Sequence, residues 1–273
     1  MLKAVLCDLD GTLLDLNLNR FLYNHFSDQI RLISMVSGTP LVQSAFKFYA
    51  IMNELTAERT DQLSNGDFYK LRILEEFSLD LNDPVLSAPF SHHQEHFAPL
   101  RLKRKLKTRP VAGAHHFINT AKHLGLKLIL ATNPVNPLEI SLMRLSWAGF
   151  SAQDFCYITH FDNCTRTKPH KEYYQSILEA CNLLAEECIM VGNDPSIDIL
   201  KISQGKTEHA EEQLADHRQI EALQQSHLKS FIIDSRYPAK SLKSKRFCKD
   251  ALKAGAFWAG HFKELTELLP HLR

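Results

Sequence analysis

The segment at residues 3–14 constrains the fold of this chain more than any other stretch, and its sequence is Lys-Ala-Val-Leu-Cys-Asp-Leu-Asp-Gly-Thr-Leu-Leu. The apolar run Ala4–Cys7 predicts a short buried strand, and two carboxylates, Asp8 and Asp10, follow at its end. In an extended chain residues i and i+2 point to the same side, so both carboxylates can face one point in front of the strand. Two acids that close repel each other, and a shared proton or a metal cation relieves the repulsion. A bare Asp-x-Asp would more often be two solvated acids, so the rest of the chain must supply the partners of such a site.

The composition is that of an ordinary globular protein with almost no net charge. The chain has 273 residues, of which 44% are hydrophobic and 23% charged, and its net charge is +1. This balance gives no argument for nucleic acid or a membrane as a partner. The first apolar run is short and no run approaches the roughly 18 residues of a membrane span, so neither a signal peptide nor a transmembrane helix is expected. The six cysteines contain no Cys-x-x-Cys pair, which indicates reduced thiols and a cytoplasmic location.

Helical periodicity dominates the chain up to about residue 107. The apolar spacing predicts helices at residues 17–37, 41–55, 67–77 and 87–106, and Asp67 is the expected N-cap of the third. No convincing strand occurs between Asp15 and Thr108. This block therefore has the pattern of a helical insertion.

Strands and helices alternate in the remainder of the chain. Apolar runs predict strands at residues 127–131, 155–159, 188–191 and 231–234, and the apolar residues of 252–269 predict a closing helix. Such alternation favours a parallel, doubly wound sheet, in which ligands bind beyond the carboxyl ends of the strands. The polar clusters of the sequence all follow strands, which places them at that edge.

Three further polar clusters are candidates for the site. Thr132 and Asn133 follow strand 127–131, where a hydroxyl and an amide can hold phosphate oxygens or cap the local turn. Lys168 lies in Thr-Lys-Pro just before a predicted helix. A lone lysine on a loop is usually solvated, and Arg166 and Lys171 are close enough to be rival cations.

The third cluster is acidic and follows strand 188–191. Asp194 and Asp198 are four residues apart in Gly-Asn-Asp-Pro-Ser-Ile-Asp, so they share one face if this segment starts a helix. Hard oxygen ligands of this kind suit Mg²⁺. Capping of a helix start is the competing interpretation.

These four motifs, in this order, resemble those of the haloacid dehalogenase-like (HAD) hydrolases, most of which are phosphatases. The resemblance implies that Asp8 is the nucleophile and that Asp10 protonates the leaving alkoxide and then activates water. It further implies that Thr132 and Lys168 bind the phosphoryl group of the substrate, with Lys168 also paired to the nucleophile. Asn133, beside Thr132, is the third candidate for binding this group. The second aspartate is typical of the phosphatases and phosphomutases rather than of the branch that displaces halide.

The resemblance also implies a Mg²⁺ cofactor. Its ligands are expected among Asp8, the main-chain carbonyl of Asp10, Asn193, Asp194 and Asp198. Aligned on the preceding glycine, Asn193 takes the place of the first acid of the motif. A spacing shorter by one residue gives that place to Asp194, and Asp198 fits either way.

The resulting prediction is an α/β protein with a Rossmann-like parallel sheet core and an inserted all-helical cap. The core comprises residues 1–15 and 108–273, and the cap comprises residues 16–107. A cap that covers the site favours small phosphomonoesters as substrates. The alternatives are a phosphomutase with the same residues, and a regulatory protein that binds phosphate esters without turnover.

Two features lie outside these motifs. His92, His93 and His96 could bind a transition metal, although a polar helix face explains them better. Residues 203–229 form a polar segment where the family usually has a short connection. We expect this segment to be dispensable for the chemistry.

Overall fold

The structure is a computed structural model that describes residues 1–199 and 228–272. The polar segment 203–229 therefore lies outside the described residues, except for its last two positions. Within the described ranges the strands are β1 (Ala4–Cys7), β2 (Leu14–Asp15), β3 (Arg109–Pro110), β4 (Lys127–Leu130), β5 (Tyr157–Ile158), β6 (Cys188–Gly192), β7 (Lys229–Ile233) and β8 (Trp258–Gly260). The helices are α1 (Leu18–Ser37), α2 (Leu41–Thr56), α3 (Asn65–Phe77), α4 (Pro84–His92), α5 (Ala98–Lys105), α6 (Ala114–His123), α7 (Leu138–Trp147), α8 (Lys171–Cys181), α9 (Leu242–Lys253) and α10 (Phe262–Leu268).

Six strands form one parallel sheet in the order β5-β4-β1-β6-β7-β8. In β1, Val5 and Cys7 join the cluster that packs against α6, α7 and α10, whereas Ala4 and Leu6 join the cluster under α8. Alternate residues of a strand point to opposite faces, so β1 needs an apolar residue at every position. The predicted doubly wound α/β fold is confirmed.

The register of the sheet brings the polar clusters to one edge. Cys7, the last residue of β1, lies opposite Leu130 of β4 and Val191 of β6. The residues that follow each of these three positions therefore leave the sheet side by side. They are the segments that begin with Asp8, with Ala131 and, one residue later because Gly192 still pairs with Ile232 of β7, with Asn193, and they carry the candidate site.

Helices α1 to α4 share an apolar cluster of their own, whereas Phe21 of α1 and Ala98 and Leu102 of α5 belong to the larger cluster on the sheet. The cluster of α1 to α4 is built on Ile33, Phe48, Ile51 and Ile73 and also includes Phe161, which follows β5. A two-stranded antiparallel ribbon of β2 and β3 pairs the chain where it leaves the core with the chain where it returns. Strands of two residues have no readable periodicity, which is why the sequence did not indicate this ribbon.

Two local expectations were wrong. Helix α3 is capped by Ser64, whose hydroxyl accepts a hydrogen bond from the backbone N–H of Asp67, so Asp67 lies inside the first turn. Residues 252–269 hold the end of α9, the edge strand β8 and α10 rather than a single helix. The helical run expected at 87–106 is present as α4 and α5, which are joined without a break by a π-helical turn (His93–Phe97).

Candidate active site

The loop after β1 turns back sharply and fixes the two aspartates. The backbone N–H of Asp8 donates to the carbonyl of Val191 at 2.8 Å, which extends the β1–β6 pairing by one residue. Gly11 has φ = 86°, and a Cβ at this position would lie 2.4 Å from the side-chain nitrogen of Asn193. Glycine is required there both for its backbone conformation and for this close approach.

Lys168 lies between two carboxylates in the buried interior of the site. Its Nζ is 2.8 Å from Oδ1 of Asp8 and 2.7 Å from Oδ1 of Asp198. The lysine side chain is fully buried, and so is that of Asp198. Lys168 is thus a charged bridge between the end of β1 and the loop after β6, and it is one of the three cations that the sequence offered for this role.

Burial and charge act in opposite directions on these three groups. Burial raises the pKa of Asp8 above its ordinary value, and Lys168 partly offsets this. Burial likewise raises the pKa of Asp198 to about 6, again against the effect of the lysine. Burial alone would lower the pKa of Lys168, but the charges of Asp198 and Asp8 raise it well above its usual value. The lysine is therefore a permanent cation in this site.

Asp10 is paired with a residue that no motif indicated. Its Oδ2 accepts a hydrogen bond from Nη1 of Arg144, a buried side chain of α7. Burial raises the pKa of Asp10, and the charge of Arg144 opposes this shift. The sequence does contain one sign of this pair: Arg144 has helical spacing with the apolar residues Ile140 and Trp147. An arginine on such a buried face needs an acidic partner.

The segment after β4 is tied to the lysine loop. Thr132 is buried, and its carbonyl accepts hydrogen bonds from the hydroxyls of Thr159 at 2.6 Å and Tyr173 at 3.0 Å. The side-chain oxygen of Asn133 accepts a hydrogen bond from the backbone N–H of Lys168 at 3.2 Å. These contacts hold Thr132 and Asn133 at the sheet edge beside the Lys168 segment.

The loop after β6 orients its three polar residues differently. Oδ1 of Asn193 accepts from the hydroxyl of Thr12 at 3.3 Å, and the same hydroxyl is 3.1 Å from Oδ2 of Asp8. The carboxylate of Asp194 accepts instead from the N–H and hydroxyl of Ser196. Oδ2 of Asp198 accepts from the backbone N–H groups of Asn193 and Asp194, both at 3.0 Å. The amide of Asn193 therefore lies on the side of Asp8, and the carboxylate of Asp194 is held within its own turn.

The oxygen donors near Asp8 suit a magnesium ion better than a transition metal. Among the described residues no group of three or more His, Cys, Asp or Glu is arranged to hold a metal. The hydroxyl of Thr12 lies within hydrogen-bond distance of both the carboxylate of Asp8 and the amide oxygen of Asn193, so these two oxygen donors are near each other at the sheet edge. Mg²⁺ usually takes one or two carboxylates together with waters and substrate phosphate oxygens, so this donor set fits Mg²⁺.

The histidines singled out in the sequence do not join this site. The rings of His92 and His96 lie 4.6 Å apart, and Nε2 of His93 is 3.4 Å from a carboxylate oxygen of Asp28. His92 and His96 are exposed on the polar face of this helical run, whereas His93 is half-buried beside Asp28.

Two residues of the predicted cap, Arg59 and Asn65, form hydrogen bonds with the predicted core, which we call the cap–core hydrogen-bond network. Asn65 is fully buried, and its side-chain nitrogen donates to the carbonyls of Pro134 at 3.1 Å and Arg166 at 3.2 Å. Arg59 donates to the carbonyl of Thr165 at 2.6 Å, and Arg166 donates to the carbonyl of Arg59 in return. Arg166 is thereby committed to the cap, which removes it as a rival of Lys168 for the nucleophile.

Helix α1 makes a second polar contact with the core. Nε2 of the buried His25 lies 3.0 Å from the side-chain oxygen of Asn136, in the loop between β4 and α7. Burial, followed by the charge of Arg144, lowers the pKa of His25 to about 4. His25 is therefore neutral at physiological pH.

Comparisons with known proteins agree with this geometry. A family model described as haloacid dehalogenase-like hydrolase matches residues 2–203. A glyceraldehyde 3-phosphate phosphatase from Pyrococcus abyssi is 30% identical over 205 residues, which span 73% of this chain and 76% of that protein. The crystal structure of a HAD phosphatase from Thermococcus onnurineus superposes with a TM-score of 0.50 at 17% identity, covering 98% of both chains.

No helix in the described ranges is long and apolar enough to cross a membrane. The family model covers well over half of the chain, and the relative from Pyrococcus abyssi shares 30% identity across most of it. The chain therefore belongs to the haloacid dehalogenase-like hydrolase family, as its motifs indicated, and its relatives there include phosphatases.

Proposed function

We propose that the protein is a Mg²⁺-dependent phosphatase that hydrolyses small phosphomonoesters through a phosphoryl group carried on Asp8. The observation that carries this proposal is the buried Asp8–Lys168–Asp198 arrangement at the sheet edge. A carboxylate held beside a permanent cation is poised to accept a phosphoryl group whose negative charge the same cation balances.

In the first step an oxygen of Asp8 attacks phosphorus while the bond to the ester oxygen breaks. Asp10 supplies the proton that the leaving alkoxide needs. In the second step Asp10 takes a proton from a water molecule, which attacks the phosphoryl group and frees Asp8. Each turnover thus returns both aspartates to their starting states and yields an alcohol and inorganic phosphate.

The remaining residues bind and orient the phosphoryl group. The hydroxyl and backbone of Thr132 and the amide of Asn133 are the expected donors to its oxygens, and Lys168 balances the charge that develops on them. Mg²⁺, when bound, would neutralise the repulsion between carboxylate and phosphate. Asp8, the carbonyl of Asp10 and Asn193 are the proposed ligands, Asp198 orients Lys168 and the loop after β6, and Asp194 is the alternative to Asn193.

The cap supports a small substrate. The proposal is supported by the cap–core hydrogen-bond network, which ties the helical segment to the loops that flank Lys168, and by the burial of Asp8 and Lys168. A covered site admits small molecules and excludes the exposed side chains of folded proteins. The relative from Pyrococcus abyssi, which is named for a three-carbon phosphate ester, is consistent with such a substrate class.

The test is a screen of phosphorylated metabolites with Mg²⁺ in which released phosphate is measured, with the Asp8→Asn protein as the matched control. Asp8→Asn preserves the shape of the side chain but removes its nucleophilicity, so turnover should fall by several orders of magnitude. Beryllium trifluoride should bind at the Asp8 carboxylate of the wild-type protein in a crystal.

The competing functions give different results in the same screen. Transfer of the phosphoryl group between two positions of a sugar, without release of phosphate, would identify a phosphomutase. A wild-type protein that binds phosphate esters yet turns over none of a broad panel would be a regulatory protein.

A further inference from the structure

We propose that Arg144 is a positioning residue that holds one oxygen of Asp10 and leaves the other for proton transfer to the substrate. The inference rests on the proposed function, in which Asp10 is the general acid and base. It assigns a role to a side chain that lies 134 positions away from Asp10 in the sequence and belongs to none of the four motifs.

Arg144 is held in place along its whole length. Its Nε donates to the carbonyl of Ile140 at 3.3 Å, and its Nη2 is 3.5 Å from the hydroxyl of Ser141. The guanidinium carbon lies 5.2 Å from the centre of the Phe21 ring, within the range of a cation–π contact. The guanidinium therefore presents Nη1 to Asp10 from a fixed position.

The two oxygens of Asp10 have different surroundings. Oδ2 accepts the hydrogen bond from Arg144, whereas the buried Oδ1 has no hydrogen-bond partner within the described part of the chain. A guanidinium only donates, so an oxygen that it occupies is a poor place for the carboxyl proton. When Asp10 is protonated, the proton resides on Oδ1, the oxygen that remains available to the ester.

This arrangement directs both proton transfers through one atom. The proton on Oδ1 passes to the ester oxygen as the bond from that oxygen to phosphorus breaks. Asp10 then remains as a carboxylate paired with Arg144. In the second step Oδ1 accepts a proton from water while the water oxygen bonds to phosphorus, which restores the acid.

A merely structural role explains the position of Arg144 less well. Its neighbours on the same face of α7, Ile140 and Trp147, are apolar and buried. At such a position a hydrophobic side chain of similar volume is often as stabilising as a buried ion pair. The charged residue is thus better explained by what it does to Asp10 than by what it adds to stability.

The position of Arg144 also depends on the cap. Phe21 is a fully buried residue of α1, and its ring packs edge-on to Trp147 at 6.3 Å as well as against the guanidinium. A displacement of α1 would therefore move the group that orients Asp10.

The experiment compares an alkyl ester with an aryl ester in Arg144→Gln and Arg144→Lys. The alkoxide of glycerol phosphate needs a proton to leave, whereas the nitrophenolate of p-nitrophenyl phosphate does not. We expect Arg144→Gln to lower kcat on glycerol phosphate by about 10²–10³-fold and on the aryl ester by less than about tenfold, since general acid catalysis is worth about that much. Arg144→Lys keeps a cationic donor and should recover at least about tenfold of the loss on the alkyl ester.

The matched control is Arg59→Gln, which removes an equally buried arginine of the cap–core hydrogen-bond network that does not contact Asp10. Both variants should lose stability, but only Arg144→Gln should separate the two esters. Equal losses on the two esters, or the same separation in Arg59→Gln, would overturn the role of Arg144 alone. An alkyl phosphate that the screen identifies as a better substrate replaces glycerol phosphate in this comparison, and a wild-type protein that hydrolyses no ester of the whole panel refutes the proposed function and this role with it. If Arg144→Gln does not fold, Arg144→Lys alone tests the role, because its kcat should also fall more on the alkyl ester than on the aryl ester.

Discussion

Replacing Lys168 with methionine should expose the charge repulsion that this residue suppresses. The change leaves two buried carboxylates, Asp8 and Asp198, whose nearest oxygens both lie within hydrogen-bond distance of the missing nitrogen and so at most about 5.5 Å apart. Two unit charges at that separation repel by about 3 kcal/mol at an effective dielectric constant of about 20. Including the lost attractions, we expect the free energy of unfolding to fall by about 3–5 kcal/mol, as for other buried pairs that lose one partner.

A double-mutant cycle separates this repulsion from lost packing. Asp198→Asn keeps an acceptor for the backbone N–H groups of the loop after β6 while removing the second charge. Lys168→Met combined with Asp198→Asn should therefore be more stable than Lys168→Met alone, with a coupling energy of about 2–3 kcal/mol. The assay is guanidinium unfolding in a metal-free buffer, followed by circular dichroism.

The control is Lys122→Met, which breaks an exposed ion pair with Asp154. That pair should contribute less than about 1 kcal/mol. A Lys168→Met protein no less stable than this control, or a double variant whose losses simply add, would refute the reasoning.

Three further predictions test other parts of the molecule. Gly192→Ala would place a Cβ 2.2 Å from the carboxyl carbon of Asp198, and we expect the displaced carboxylate to lower kcat by about 100-fold. In the control Gly260→Ala the new Cβ would lie 3.4 Å from its nearest neighbour, and activity should stay near that of the wild type. The pKa of His25 is about 4 in the folded chain against 6.5 for a free side chain, so the unfolded state binds more protons between these pH values. The free energy of unfolding should therefore fall by about 3 kcal/mol as the pH drops from 6.5 to 4. Unfolding measured against pH should show this loss in the wild-type protein and not in His25→Gln. The Mg²⁺ concentration for half-maximal rate should rise by about tenfold or more in Asp198→Ala and by less than about threefold in Asp194→Ala, and the reverse order in a Mg²⁺ titration would contradict the assignment.

The sequence predicted the central strands because a strand buried on both faces must be apolar throughout. β1 and β6 are such strands, and their short apolar runs are followed directly by the polar motifs. The position of Lys168 was likewise predicted, because a motif fixes where it lies relative to a helix start. These features depend on local sequence and on one topological rule, that the carboxyl ends of parallel strands share an edge.

The features that the sequence did not predict depend on contacts between distant segments. Among residues 1–199 and 228–272, the three-residue strand β8 pairs with β7 alone, at the sheet edge, and the apolar spacing of Trp258, Phe262 and Leu265 matches a helix equally well. Arg144 has no local pattern that marks it, since only the folded chain brings α7 beside the Asp10 loop. The sequence also left the choice between Asn193 and Asp194 open, because either can cap a turn.

The cap–core hydrogen-bond network limits how this protein can be recombined with its relatives. The proposed cap is joined to the core by two connections near the β2–β3 ribbon. From these connections alone, one would expect that the cap of a relative could replace it. Yet Asn65 and Arg59 satisfy backbone carbonyls of the core, at Pro134, Thr165 and Arg166. A foreign cap without Asn65 would remove the donor to the carbonyls of Pro134 and Arg166, whereas the carbonyl of Thr165 would keep its hydrogen bond from Arg166. A chimera should therefore take the core loops around residues 134 and 164–166 from the same parent as the cap. The unit to be exchanged is then three segments that are separate in the sequence.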